Sequence, residues 1–257
     1  MPTAKRASVE TDSTLWRWLA ERPGRMARDV WAGLLDLVYP PHCLVCGAAD
    51  DGYLCAACIE KIDFIEPPFC PVCGLPGDPG RCFDCGDRQF EFEFARSVGT
   101  FDGVLRKAIH ALKYGSHIAM AGPLADLMAR SFADTRLAGR FDFVTAIPIH
   151  RSRVLERGFN QADELARRLC DRLGLVYAPG VLVKPWPGKR QVELPHDLRT
   201  ANMRGAFAAP RPAAVTGKRV LLVDDVFTTG STLDEAAKTL LAAGCAEVYA
   251  YTVARSV

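Results

Sequence analysis

Hydrophobic and polar positions divide the chain into three unlike segments, and the longest alternates between two periods. Residues 92–101 (FEFARSVGTF), 141–149 (FDFVTAIPI), 219–225 (RVLLVDD) and 246–254 (AEVYAYTVA) read as strands. Residues 103–114 (GVLRKAIHALKY), 121–135 (AGPLADLMARSFADT), 160–174 (NQADELARRLCDRLG) and 231–244 (STLDEAAKTLLAAG) read as helices, the last ending at Gly244. Strands alternating with helices of this length predict an α/β domain built on a parallel sheet. One stretch breaks the alternation: between Val183 and Phe207 lies a polar, basic insertion (KPWPGKRQVELPHDLRTANMRG) with no clean period. Irregular loops of that length in compact α/β domains usually serve binding or catalysis.

The pattern changes before residue 91. Residues 40–90 are rich in Cys, Gly and Pro and show little periodicity, so apolar burial cannot supply their core. Residues 1–39 include an amphipathic stretch, 25–40, in which Val30, Trp31, Leu34, Leu35 and Val38 fall at helical spacing. That stripe predicts a helix packed on the body of the protein. It is short, and Asp29 and Asp36 dilute it, which argues against a membrane-surface helix. The expected domains are therefore 1–39, 40–90 and 91–257.

At 257 residues and 49% apolar composition, the chain is long enough for one large domain plus a small module. It has no apolar run of the roughly 18 residues a membrane span needs. It also has no secretory h-region, and the expectation is a soluble, cytoplasmic protein. The formal net charge of +2 hides an asymmetry, because residues 40–90 carry eight acids against three bases. Phosphate binding is therefore expected in the basic C-terminal two-thirds.

Ten cysteines in a chain without a secretion signal point to metal or redox chemistry. Eight form an internal repeat: Cys43-x-x-Cys46, then Cys55-x-x-Cys58, recurs 27 residues later as Cys70-x-x-Cys73 and Cys82-x-x-Cys85. Each half offers the four thiolates of a closed structural zinc site, so two zinc ions are expected. Redox pairs or disulfides would not need a duplicated array. Sequential sets and an interleaved cross-brace both satisfy the spacing. A tetrathiolate zinc carries a formal −2, so this acidic module reads as a stabiliser or docking surface, and not as a binder of phosphate backbones. Cys170 and Cys245 sit in apolar contexts, and core burial is expected for both.

The densest chemistry lies at 220–232, VLLVDDVFTTGST. An apolar strand runs into Asp224 and Asp225, then into a turn of Thr228, Thr229, Gly230, Ser231 and Thr232 that opens a helix. Such a turn offers backbone N–H groups, hydroxyls and a helix N-terminus to a phosphate, while the acids suit sugar hydroxyls. No G-x-x-x-x-G-K-[ST] motif occurs, which excludes a P-loop NTPase.

This stretch resembles the ribose-phosphate signature of type I phosphoribosyltransferases, which bind phosphoribosyl pyrophosphate with Mg²⁺. The wider chain, from about Leu34, resembles the ComF family of competence-related proteins. The match is carried by the duplicated cysteines, LKYG (112–115), RGFNQ (157–161), Gln191, Leu194, Arg199, Asn202 and GAF (205–207). The resemblance implies a type I phosphoribosyltransferase-like parallel sheet flanked by helices, with a small N-terminal double zinc-ribbon module. It also implies that Thr228, Thr229, Gly230, Ser231 and Thr232 hold the 5-phosphate and that Asp224 and Asp225 contact the ribose. Residues 146–153 (AIPIHRSR) take the place of the pyrophosphate loop, and residues 184–204 that of the mobile hood. Lys189 and Arg190, with Mg²⁺, would neutralise the leaving pyrophosphate. Arg151, Arg153 and Arg157 could add to them. Thr228 stands where some purine transferases carry an acid that acts on the base, which speaks against that purine reaction. Two main functions remain open, beside a regulatory or scaffolding role tied to metabolism in which the zinc module is the docking face. One is transfer of phosphoribosyl to an unidentified nitrogen acceptor. The other is a non-catalytic module in DNA uptake that binds a nucleotide or single-stranded DNA beside a helicase-like partner, with Trp186, Phe159 and Phe207 as stacking surfaces.

Overall fold

The computed structural model describes residues 42–49, 52–77, 80–114, 117–185 and 205–257. The expected helix within 25–40, Trp186, Lys189, Arg190 and most of the basic insertion lie outside the described residues.

Four strands form one all-parallel sheet in the order β1–β4–β3–β2: β1 Ala95–Thr100, β2 Phe143–Ala146, β3 Arg219–Phe227 and β4 Glu247–Arg255. β4 is buried along all but its first residue, so helices must cover both faces of the sheet. Two short helices, α1 (Ala56–Ile59) and α2 (Phe83–Asp87), each follow a cysteine of the repeat. The crossovers contain α3 (Gly103–Tyr114), α4 (Ala121–Ser131), α5 (Arg151–Arg157), α6 (Gln161–Leu173) and α7 (Ser231–Ala242). α4 packs on α6, and Tyr251 of β4, fully buried, donates its hydroxyl to the Met128 carbonyl at 2.8 Å. Among the described residues no helix is long and apolar enough to cross a membrane.

The segment RGFNQ is a corner between α5 and α6. Gly158 ends α5 at φ +83°, a conformation that costs other residues a steric penalty. Asn160 then caps α6: its side-chain oxygen accepts from the Ala162 N–H at 3.1 Å, while its amide donates to the Ile147 carbonyl at 3.0 Å. The corner thus fixes the loop after β2. Arg157 belongs to the same joint, donating to Gln161 at 3.1 Å, so it is not a freely solvated charge.

Two strand boundaries differ from the pattern. β1 begins at Ala95 and not at Phe92: its paired ladder with β4 starts at Ala95↔Ala250, and ahead of it the Glu93 N–H still reaches the Val248 carbonyl at 2.8 Å. β3 continues past the acids to Phe227, because its pairing with β4 persists to Phe227↔Arg255. Asp224 and Asp225 therefore lie within a strand, where neighbouring side chains point to opposite faces.

The eight cysteines form two groups in sequential order, Cys43–Cys46–Cys55–Cys58 and Cys70–Cys73–Cys82–Cys85, each with its sulfurs within 4.8 Å of one another. The interleaved alternative is excluded by this grouping. Cys170 and Cys245 are buried, as expected.

Candidate functional site

Parallel strands deliver their following loops to one end of a sheet, and that end is where open α/β sheets bind ligands. Two loops meet there. The loop after β2 is tied to β3 by the Ile147 N–H donating to the Val223 carbonyl at 2.9 Å, one residue before Asp224. The turn after β3 carries Thr228 to Thr232. The structure therefore brings the expected pyrophosphate loop, acidic pair and phosphate turn to one edge.

The acids are not equivalent. Asp225 is buried and forms an ion pair with Lys113 of α3 at 2.6 Å. Burial works against the Lys113 ammonium, but the Asp225 carboxylate outweighs it and the Lys113 pKa is raised. Asp224 accepts only the neighbouring Asp225 N–H among the recorded bonds, at 2.9 Å. Desolvation, reinforced by the Asp225 charge, pushes its pKa up to about 7 against the pull of Lys113 and Lys184. Lys184, at the start of the basic insertion, has its own pKa lowered by burial and by Arg153, despite the attraction of Asp224. Lys113 thus pairs with Asp225, while Asp224 keeps a raised pKa despite the attraction of both lysines.

Within the turn, Gly230 adopts φ +76° and starts α7. A Cβ built there would lie 2.6 Å from the Phe227 ring and 2.8 Å from the Phe90 ring, so only glycine fits. Thr228 is exposed, whereas Ser231 is buried with its hydroxyl 2.8 Å from that of Thr229. Exposed Thr228 can face a ligand, while Ser231, whose N–H donates to the Thr229 hydroxyl at 3.4 Å, holds the turn together. Arg151 is exposed, and Arg153 pairs with Glu156 of its own helix at 3.0 Å.

Lys113, Lys184 and Arg88 were missed as site residues by the sequence reading. Lys113 sat inside the quoted LKYG, and a basic residue within a matched motif was the available signal. Lys184 opens the basic insertion, which was its signal, whereas Arg88 lies in no matched motif.

The cysteine groups fit zinc on three counts. Sulfur separations of 3.7 Å (Cys43–Cys58), 3.7 Å (Cys46–Cys55) and 3.6 Å (Cys73–Cys82) match the edge of a tetrahedron with Zn–S bonds of about 2.3 Å, about 3.8 Å. Disulfides would need about 2 Å. Burial works against the Cys43 thiolate, yet backbone N–H groups of Cys55, Cys46 and Val45 bring its pKa down to about 6. Those of Cys73, Cys82 and Val72 do the same for Cys70, also to about 6. Finally, Arg96 and Arg255 are the buried arginines among the described residues, and the charges of Cys70 and Cys73 reach Arg96 while that of Arg255 reaches Cys73. Arg96 Nε and Arg255 Nε and Nη1 have no hydrogen-bond partner. Two buried cations, neither of them in a recorded ion pair with a carboxylate, match the formal −2 of a tetrathiolate zinc.

Comparison with known proteins agrees with both parts. Residues 34–89 match the double zinc ribbon domain and residues 154–256 the phosphoribosyl transferase domain. DNA utilization protein YhgH of Salmonella typhimurium is 31% identical over 181 residues, covering 68% of this chain and 78% of that protein. The chain belongs to the ComF family. Competence protein F of Haemophilus influenzae is 28% identical over 207 residues, covering 79% of this chain and 90% of that protein. Among solved structures, the glutamine phosphoribosylpyrophosphate amidotransferase of B. subtilis is similar at 23% identity and a TM-score of 0.34. It covers 52% of this chain, which spans 26% of that protein. So loose a superposition adds nothing to the strand order already described.

Proposed function

We propose that this protein binds phosphoribosyl pyrophosphate as its Mg²⁺ chelate and transfers the phosphoribosyl group to a nitrogen acceptor, in the handling of incoming DNA. The observation that carries this reading is the meeting of Asp224–Asp225 with the Thr228–Thr232 turn at one sheet edge, faced by Lys113 and Lys184. The turn would hold the 5-phosphate and the acids the ribose hydroxyls. Asp225 would then exchange or share its Lys113 partner when the sugar arrives. Among the described residues the cysteine sets are the groups of three or more ligating side chains close enough to share an ion, so Mg²⁺ would arrive on the pyrophosphate. In the step itself the acceptor nitrogen's lone pair forms a bond to ribose C1, and the C1–O bond breaks. Pyrophosphate leaves with that electron pair and the acceptor sheds a proton. Lys184, with Lys189 and Arg190, would stabilise the departing charge. The eight repeat cysteines would hold two structural zinc ions.

The competence and DNA-utilization names of the relatives support a role in the handling of DNA. They equally suit a non-catalytic grip on single-stranded DNA or a nucleotide, which the exposed Arg151 favours. Calorimetry with phosphoribosyl pyrophosphate and Mg²⁺ separates the readings. Binding by wild type that is lost in Asp224→Asn/Asp225→Asn supports transfer chemistry. Absence of binding by wild type, with salt-dependent affinity for a single strand, replaces it with the DNA grip.

A further inference from the structure

We propose that Arg88 is a positioning residue for the phosphate turn, so that the second zinc ribbon sets the turn's shape. Arg88 caps the C-terminal end of α2, three residues beyond Cys85, and reaches a segment 141 residues away in sequence. Its Nη1 donates to the Thr229 carbonyl at 2.9 Å and its Nη2 to the Ser231 hydroxyl at 3.2 Å. A trans peptide holds its C=O and N–H on opposite sides. Fixing the Thr229 carbonyl toward Arg88 therefore turns the Gly230 N–H to the other side of the loop. A phosphate needs that donor.

The same short segment grips the turn at two more points. The Glu91 N–H donates to the buried Asp234 carboxylate at 2.8 Å, in the first turn of α7. Phe90 lies against Gly230, stacks on Phe92 at 4.7 Å and meets Phe227 edge-on. The Arg88 guanidinium lies over the Phe90 ring at 4.5 Å. From below, the Phe227 ring is covered by Arg255, at 4.3 Å, the arginine whose charge acts on Cys73. Contacts from the segment that follows the second cysteine set thus reach the Phe90 and Phe227 rings against Gly230.

Only the naming of the ligand rests on the phosphoribosyl reading; the restraint on the turn does not. The test uses full-length, zinc-loaded protein as wild type, Arg88→Met and Arg88→Lys. Amide hydrogen exchange across residues 227–235 is measured without ligand. Ribose 5-phosphate and pyrophosphate are titrated separately, and zinc content is determined. A charged hydrogen-bond donor is removed, so Arg88→Met should speed exchange in the turn and weaken ribose 5-phosphate binding, each by about tenfold to a hundredfold. Pyrophosphate binding and two zinc ions per chain should be retained, and Arg88→Lys should recover part of the loss. Unchanged exchange in the turn, or equal weakening of both probes, overturns the inference. Should Arg88→Met lose zinc, Arg88→Lys decides: faster exchange with both ions present supports it and unchanged exchange overturns it. Failure of wild type to bind ribose 5-phosphate sinks the phosphate reading, while the exchange data still decide the role of Arg88.

Discussion

Cys43, Cys46, Cys55 and Cys58 recur with the same spacing at Cys70, Cys73, Cys82 and Cys85, yet the two ribbons have unequal surroundings. Among the described residues, no recorded hydrogen bond or ion pair joins residues 42–61 to the α/β domain. Hydrogen bonding to that domain begins beyond the ribbon, where Ile65 and Asp63 bond the backbone of β1. The second ribbon is fastened throughout. Val72 accepts from Ala95, Arg96 donates to the Pro71 carbonyl at 3.1 Å, and Arg88 and Glu91 hold the turn after β3 and the start of α7. Burial of charge differs as well, since both buried arginines act on the second set. A duplicated metal scaffold can thus stabilise itself in one copy and serve as the footing of a binding loop in the other.

The largest effect should come from removing a ligand on the fastened side. Cys73→Ser should release the second zinc and leave Arg96 and Arg255 buried without counter-charge, lowering the unfolding free energy by about 3–5 kcal/mol. Cys46→Ser, at an exposed cysteine of the first set, should cost far less and leave exchange at residues 227–235 unchanged. Urea unfolding with metal analysis checks this; equal losses would break the comparison. Next comes the turn itself. Gly230→Ala combines a positive φ with overlap on Phe227 and Phe90 and should cost about 3 kcal/mol, with both zinc ions retained. A thermal melt beside a zinc assay reads it directly. A smaller change is expected from Arg255→Met, which removes one neutralising cation and should weaken zinc retention in the second set by about tenfold, the first being unaffected. Competition with a chelator measures the two sets separately.

The smallest effect concerns pH. The Asp224 pKa is raised from 3.8 to about 7 on folding, so the folded state holds a proton that the unfolded chain has already lost. Relative to Asp224→Asn, wild-type stability is fully present below about pH 4, falls as pH rises through about 7, and is flat above. Binding of phosphoribosyl pyrophosphate, which needs the ionised acceptor, should strengthen severalfold over the upper part of that range. Calorimetry at stepped pH reads this, and an identical profile in Asp224→Asn would remove Asp224 from the site. Cys46→Ser should leave the profile as it is.

Local signals carried much of this molecule. The apolar spacing in residues 103–114 coincides with the bounds of α3, and Asn160 and Gly174 mark the ends of α6 by ordinary capping chemistry. The cysteine spacing announced two tetrathiolate sets because metal ligation depends on the short loops between ligands. The turn from Thr228 to Thr232 was legible because a strand, a glycine and a helix start are all encoded within a few residues. Misplaced boundaries share one cause. Phe92 and Phe94 have the alternation of a strand, but the register with β4 starts only at Ala95↔Ala250, and Asp224 looked like a strand end because β4 was not in view.

The sequence by itself therefore determined the parallel α/β class, the metal chemistry of the repeat and the identity of the acidic and hydroxyl-rich stretch, all properties of neighbours along the chain. Tertiary structure decided which charges meet. Lys113 reaches Asp225 across 112 positions and Arg88 reaches Thr229 across 141. The β1–β4–β3–β2 order brings Arg255 over Phe227 and within reach of the Cys73 charge. Such pairings depend on the register of strands and the packing angle of a ribbon, and no local pattern of residues encodes either.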